Sequence, residues 1–244
     1  MQNQDFQTVA GRAILVTGAG RGLGAAICDT LGAEAAHIIV TDVDEASARV
    51  VAERVNAAGG NACFFQLDVG DEEQVRRVLR GAVTLCGRLD AVINNAGTDI
   101  TLGIKEMLTS DWERVLRTNL TGPFLLAKHG LEHLAPGGHI VNIASTAARR
   151  AWPNASAYHA SKYGLMGLTH ALHAELRGMG IKVSAVIAGG MRTPFLLDRF
   201  PDIDPSLLQD PLNVARAVRF VLTQPYETVI PEVMVLPMKE TSWP

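Results

Sequence analysis

Ser145, Tyr158 and Lys162 are side chains whose types and spacing can do acid–base chemistry. Tyr158-His-Ala-Ser-Lys162 opens an apolar run rich in alanine and leucine, and i,i+4 spacing on a helix puts the phenol and the ammonium on one face. A free tyrosine titrates at about pH 10, and a neighbouring cation favours its phenolate, as a base working near neutrality requires. Ser145 ends the strand-like run His139-Ile-Val-Asn-Ile-Ala-Ser and can return in space as a second hydroxyl donor to a substrate oxygen. Many solvated helix faces carry Tyr-x-x-x-Lys, so the pair takes its meaning from the elements that position it.

The first of those elements is Ala13-Ile-Leu-Val-Thr17, a continuous apolar run that suits a strand buried on both faces. It leads into Gly18-Ala-Gly-Arg21-Gly22-Leu23-Gly24 and then a helix with Ile27 and Leu31 at i,i+4. In that context a glycine turn lets backbone approach a phosphate, while the helix N-terminus offers free N–H groups and a positive dipole end. The next strand, His37-Ile-Ile-Val-Thr41, ends at Asp42, 18 residues beyond Gly24. A carboxylate there accepts hydrogen bonds from an adenosine ribose and repels a 2'-phosphate, favouring NAD over NADP. Asp42 or Asp44 can also simply cap the helix over 45–58, and Arg21 can hold a 2'-phosphate.

The alternation continues through strands at 63–67, ended by Asp68, and 90–94, which runs into Asn95-Ala96-Gly97. Asp71 caps the intervening helix and Gly87 stops it. Ser110-Asp-Trp-Glu113 has capping-box form and predicts a helix to about Leu134. Pro123 inside it has no N–H to give the Asn119 carbonyl, which predicts a kink there. Strands at 139–145 and 182–187 flank a helix over 156–178. Residues 190–211 carry Pro194, Pro201, Pro205 and Pro211 among apolar side chains, and so long a loop reads as a substrate lid. A helix from Leu212 and a last strand over 229–236 complete a single doubly wound α/β domain over residues 1–244.

Thr17-Gly-x-x-x-Gly-x-Gly24, Asn94-Asn-Ala-Gly97, Asn119, Ser145 and Tyr158-x-x-x-Lys162, in that order across nearly the whole chain, resemble the short-chain dehydrogenase/reductase family. The resemblance implies a Rossmann-like fold with a mostly parallel seven-stranded sheet, a bound nicotinamide dinucleotide, and a catalytic tetrad of Asn119, Ser145, Tyr158 and Lys162. It also implies that Gly18, Gly22 and Gly24 line the pyrophosphate, that Asp42 meets the ribose, and that Asp68 and Val69 flank the adenine. Asn95, Ala96 and Gly97 would back the ribose and ring, and Thr193 would contact the carboxamide. Two departures stand out. Ala188-Gly189 replaces the family's usual Pro-Gly, which restores an N–H and predicts a looser turn near the ring. The terminal Val235–Pro244 stretch lacks the glycine-rich ending of many members.

Composition narrows the alternatives. Net charge is -3, and no Lys/Arg run exceeds two residues, which argues against a nucleic-acid partner. Cys28, Cys63 and Cys86 have no Cys-x-x-Cys spacing and read as reduced thiols of a cytoplasmic protein. The first seven residues lack the pattern of a leader, and no apolar run reaches the length of a membrane span. His129 and His133 supply only two ligands, too few for zinc, so no metal is expected. Arg149, Arg150, Trp152 and Asp99 are candidate pocket edges. The expected activity is hydride transfer between the cofactor and an alcohol or ketone, in a homo-oligomer, a tetramer or dimer. The rivals are a dinucleotide sensor without turnover, and an epimerase or dehydratase using bound NAD.

Overall fold

A computed structural model describes residues 8–239. The first seven residues, where no leader pattern was expected, and the last five of the C-terminal stretch lie outside them. Strands β1 (Ala13–Thr17), β2 (His37–Asp42), β3 (Asn61–Gln66), β4 (Leu89–Asn94), β5 (Leu134–Ser145), β6 (Lys182–Ala188) and β7 (Glu232–Val235) form one sheet. Its order is β3-β2-β1-β4-β5-β6-β7, and every pairing is parallel. Strands β1 and β6 are buried along their whole length, as a parallel sheet covered on both faces requires.

Side-chain alternation along each strand divides the core in two. Ile14 and Val16 of β1 pack with Ile27 and Leu31 of α1 (Gly22–Gly32), Val51 of α2 (Glu45–Ala57) and Val218 of α8 (Pro211–Leu222). Ala13 and Leu15 face the other way, toward Leu79 of α3 (Glu72–Cys86), Leu126 of α5 (Gly122–Gly130) and Leu172 of α6 (Ser156–Leu176). The chain runs outward from β1 to β3 and returns to β4 on the other side of β1. The crevice beyond the carboxyl ends of β1 and β4 is therefore the switch point where doubly wound sheets take their ligands.

Local signals set most boundaries. Asp71 accepts from the N–H groups of Glu73 and Gln74 at the start of α3, and Gly87 ends that helix at φ +73°. Three expectations change. The Ser110–Glu113 capping box does not form: α4 (Thr109–Leu116) starts one residue before Ser110, with Leu108 at its N-cap. The long helix is broken by a π turn, Arg117–Thr121, in which the Gly122 N–H donates to the Arg117 carbonyl; Pro123 then sits in the first turn of α5, where it needs no N–H partner. That helix stops at Gly130, because Leu134 is buried and pairs with Leu89 as the start of β5, five residues earlier than expected. Between β6 and α8 lie a short helix α7 (Pro194–Leu197) and a 3-10 turn (Pro205–Leu207).

Candidate active site

The glycine turn forms a cradle closed to side chains. Gly18 and Gly22 have φ of +59° and +57°, which glycine adopts readily. A Cβ on Gly18 would lie 2.7 Å from the Ala96 Cα, and one on Gly24 would lie 2.3 Å from the Gly18 carbonyl oxygen. Gly24 therefore packs α1 beneath the turn and does not line the cavity, in contrast to the expected pyrophosphate contact. Thr17 Oγ1 accepts from the N–H groups of Asn95 and Ala96, both at 3.0 Å. Asn95 Nδ2 donates back to the carbonyls of Thr17 (2.9 Å) and Gly18 (3.0 Å). The first turn of α1 has no side-chain cap and no acid, which leaves its N–H groups for an anion.

A cavity of about 960 Å³ extends from this cradle to the proposed acid–base groups. Gly18, Arg21, Gly22, Leu23, Asp42, Asp68 and Val69 line one end; Asn95, Ala96, Gly97, Ser145, Tyr158, Lys162 and Thr193 also face it. Asp42 Oδ2 accepts from the Gly20 N–H at 2.9 Å and Oδ1 from the Asp44 N–H at 3.1 Å, which fixes the carboxylate at the end of β2. Its volume is near the top of the ~300–1,000 Å³ usual for ligand sites. With the glycine cradle and the uncapped helix, these residues fit a dinucleotide.

Ser145 ends β5, and its Oγ accepts from the Ala147 N–H at 3.1 Å. Tyr158 and Lys162 lie one turn apart on α6, both buried. Burial pushes the Tyr158 phenol up to about 12; hydrogen bonding with Ser145 opposes this, Asp99 adds to it and Arg199 opposes it. Burial is the leading cause, and the charges that act on the phenol are those of Asp99 and Arg199. Burial likewise lowers Lys162 to about 8, against the charge of Asp99, and its Nζ donates to the Ile143 carbonyl at 2.9 Å.

Asn119 lies behind the cavity and does not line it. Its Oδ1 accepts from the Thr98 N–H at 2.8 Å, and its Nδ2 donates to the Thr98 carbonyl (2.8 Å) and Ser161 Oγ (3.0 Å). The side chain thus ties the turn after β4 to α6. His159 Nδ1 faces the Ala147 carbonyl at 2.8 Å, while Nε2 accepts from the Trp152 N–H at 3.0 Å, which holds the Ser145–Trp152 loop against α6. Ala188 forms no loose turn: it is the last residue of β6, paired with Ser145 and Val235. Arg149 bonds Glu232 and His129 faces Glu72, away from the cavity lining. Sequence reasoning gave no role to Arg199, which lines the cavity beside Phe195; no spacing signals a contact with Asp99 across 100 residues.

Among the described residues no helix is long and apolar enough to cross a membrane. Residues 12–204 match the family model described as short chain dehydrogenase. The chain is 33% identical over 201 residues to a 3beta-hydroxysteroid dehydrogenase of Eggerthella lenta, covering 81% of this chain and 77% of that protein. A crystal structure of a dehydrogenase/reductase from Sinorhizobium meliloti superposes with a TM-score of 0.86 at 30% identity, covering 96% of this chain and 98% of that one. A metagenomic short-chain oxidoreductase solved in complex with NADP gives 0.81 at 31% identity, covering 94% and 98%. The switch-point crevice, the glycine cradle and these matches lead to one assignment: the chain belongs to the short-chain dehydrogenase/reductase family, a family of oxidoreductases on a Rossmann-like fold.

Proposed function

We propose that the protein is a nicotinamide-dependent dehydrogenase or reductase acting on a secondary alcohol and its ketone, with Tyr158 as general acid/base. The observation that carries this reading is the convergence of Ser145, Tyr158 and Lys162 on the cavity that the glycine cradle opens. A bound nicotinamide dinucleotide supplies the hydride acceptor or donor and, when oxidised, a positive ring charge. In the oxidative direction Tyr158 Oη takes the carbinol proton, and Ser145 Oγ donates a hydrogen bond to the same oxygen as charge develops. Lys162 adds positive charge beside the phenol and would hold the ribose. Asn119 acts by positioning, through its bonds to Thr98 and Ser161.

NAD is the preferred cofactor on the strength of Asp42, whose carboxylate is fixed on the cavity wall where a 2'-phosphate would meet it. Arg21 turns its guanidinium toward Asp198 at 3.5 Å and stays exposed. Residues 190–211, with apolar Phe195, Leu196 and Phe200 on the cavity wall, act as the substrate lid of one domain. Exposed Leu108 at the start of α4, Phe124 on α5 and Tyr163 on α6 support a homo-oligomer, and three free thiols suit the cytoplasm.

The test is absorbance of reduced nicotinamide across an alcohol and ketone panel with each cofactor. Stoichiometric product supports dehydrogenation. Cofactor binding without turnover would favour the sensor, and isomer or alkene formation without net reduced cofactor would favour the epimerase or dehydratase.

A further inference from the structure

The imidazole next in sequence to Tyr158 takes no part in the proposed reaction, and both of its nitrogens serve the loop that leads from Ser145 to α6. His159 is buried. Its Nδ1 lies 2.8 Å from the Ala147 carbonyl, which can only accept, so Nδ1 carries the proton. Nε2 is then bare and accepts from the Trp152 N–H at 3.0 Å. One neutral ring thus spans the loop from Ala147 to Trp152. Pro153 restricts the Trp152 backbone from the other side, because the residue before a proline is pushed toward extended conformations. Ala147 and Ala155 pack with Tyr158 and Phe195, so the two ends of the loop share a cluster with the proposed acid/base.

What His159 holds in place is an indole. The Trp152 and His159 ring centres are 4.4 Å apart at an interplanar angle of 72°, an edge-to-face contact. Trp152 nevertheless remains 38% exposed, and it lines the same cavity as Tyr158. Covering such a surface with hydrocarbon is favourable, and a ring already fixed at its backbone and at one side has little freedom left to lose when it is covered. Phe195, whose ring stands 6.0 Å from that of Tyr158, and Leu196 add apolar wall from the 190–211 segment. We infer that Trp152 is a stacking platform for a flat, apolar ring of the substrate and that His159 is its positioning residue. This rests on the dehydrogenase reading and names its substrate class: a secondary alcohol borne on a flat hydrocarbon ring. Ring contacts with an indole contribute beyond the area they bury, so the platform selects shape as well as hydrophobicity.

The test compares 1-indanol with 2-nonanol, which has as many carbons but no ring. Turnover is read as kcat/KM with NAD and with NADP. Binding of 1-indanone to the protein loaded with oxidised cofactor, a pairing that cannot react, is read by calorimetry. The wild type is expected to favour 1-indanol at least roughly tenfold. Trp152→Leu keeps an apolar side chain without a flat face, and it is expected to bring the ratio close to one through the KM for 1-indanol. His159→Gln and His159→Asn both remove the imidazole, but only the longer glutamine can bring an amide oxygen to the Trp152 N–H. The glutamine variant is expected to keep the wild-type ratio and the asparagine variant to lose it. A wild-type ratio near one, or a preference that survives in Trp152→Leu, would overturn the platform while dehydrogenation stands. Equal ratios in the two His159 variants would overturn His159 as the positioning residue. Dissociation of a wild-type oligomer by Trp152→Leu, read by sedimentation, would give the indole to a neighbouring copy and overturn the platform. Trp152-dependent binding of 1-indanone without turnover of any alcohol would support the platform and overturn dehydrogenation. Neither turnover nor binding would overturn both.

Discussion

Lys162 holds its ammonium 5.7 Å from the centre of the Tyr158 ring, yet gives a hydrogen bond to the Ile143 carbonyl. Its charge is therefore near the phenol without being bonded to it there, and burial keeps the phenol up to about 12. In the cofactor-free protein Tyr158 is loaded with its proton at neutral pH. Ultraviolet difference titration of wild type against Tyr158→Phe is expected to show no phenolate from this residue below about pH 11.

Oxidation of an alcohol needs the phenolate and reduction of a ketone needs the phenol. Oxidative kcat/KM is thus expected to rise with pH and reductive kcat/KM to fall, and both limbs should be missing in Tyr158→Phe. That variant is expected to lose roughly 10²–10⁴-fold in turnover. Near-normal rates on any alcohol or ketone would remove Tyr158 from the reaction.

Asp42 is fixed by the N–H groups of Gly20 and Asp44. Asp42→Ala removes the charge that a 2'-phosphate would meet, so the ratio of NAD to NADP affinity is expected to fall at least tenfold. Titration of each dinucleotide into the two proteins checks this; an unchanged ratio takes the ribose role from Asp42.

Gly18→Ala places a Cβ 2.7 Å from the Ala96 Cα at a φ of +59°. Left-handed backbone alone costs an alanine roughly 1–2 kcal/mol, and a backbone neighbour cannot swing aside. Gly59→Ala is the control, with a φ of +88° and nothing within 4 Å. Urea unfolding should show Gly18→Ala as the less stable of the two, and it alone should weaken dinucleotide binding.

His139, buried on β5 with Nε2 2.8 Å from Ser184 Oγ, is lowered to about 3 by burial and then by Lys182 and Arg12. Its folded value lies below the ordinary 6.5, so the unfolded chain binds the extra proton first. Stability is full above about pH 6.5 and is lost as pH falls toward 3, by as much as about 5 kcal/mol. His139→Gln is expected to flatten this limb in urea midpoints measured across that window.

The fold was legible because its signals are local. Apolar runs gave the strands, the glycine turn gave the end of β1, and Asp71 and Gly87 bracketed α3. The helix expected over 110–134 misled because Pro123 allows both a kink and a widened turn; the π turn forms where Asn119 bonds Thr98 and Ser161. The acid–base residues lie close in sequence and were found from spacing. Asp99 with Arg199, and Thr17 with Asn95, are joined only in space, so sequence gave neither partnership. The Tyr158 proton balance has one part of each kind: the ammonium is visible in the sequence, whereas burial is a property of the folded surroundings.

The bonds between Thr17, Gly18, Asn95 and Ala96 have a consequence for how fast ligands exchange. They make the ends of β1 and β4 one stiff body before a dinucleotide arrives. Little backbone freedom is left there to be lost on binding, so arrival is governed by encounter and by charge at the cavity mouth. In the lid reading proposed above, departure falls to the proline-punctuated 190–211 segment, which the Arg199–Asp99 ion pair ties to the turn after β4.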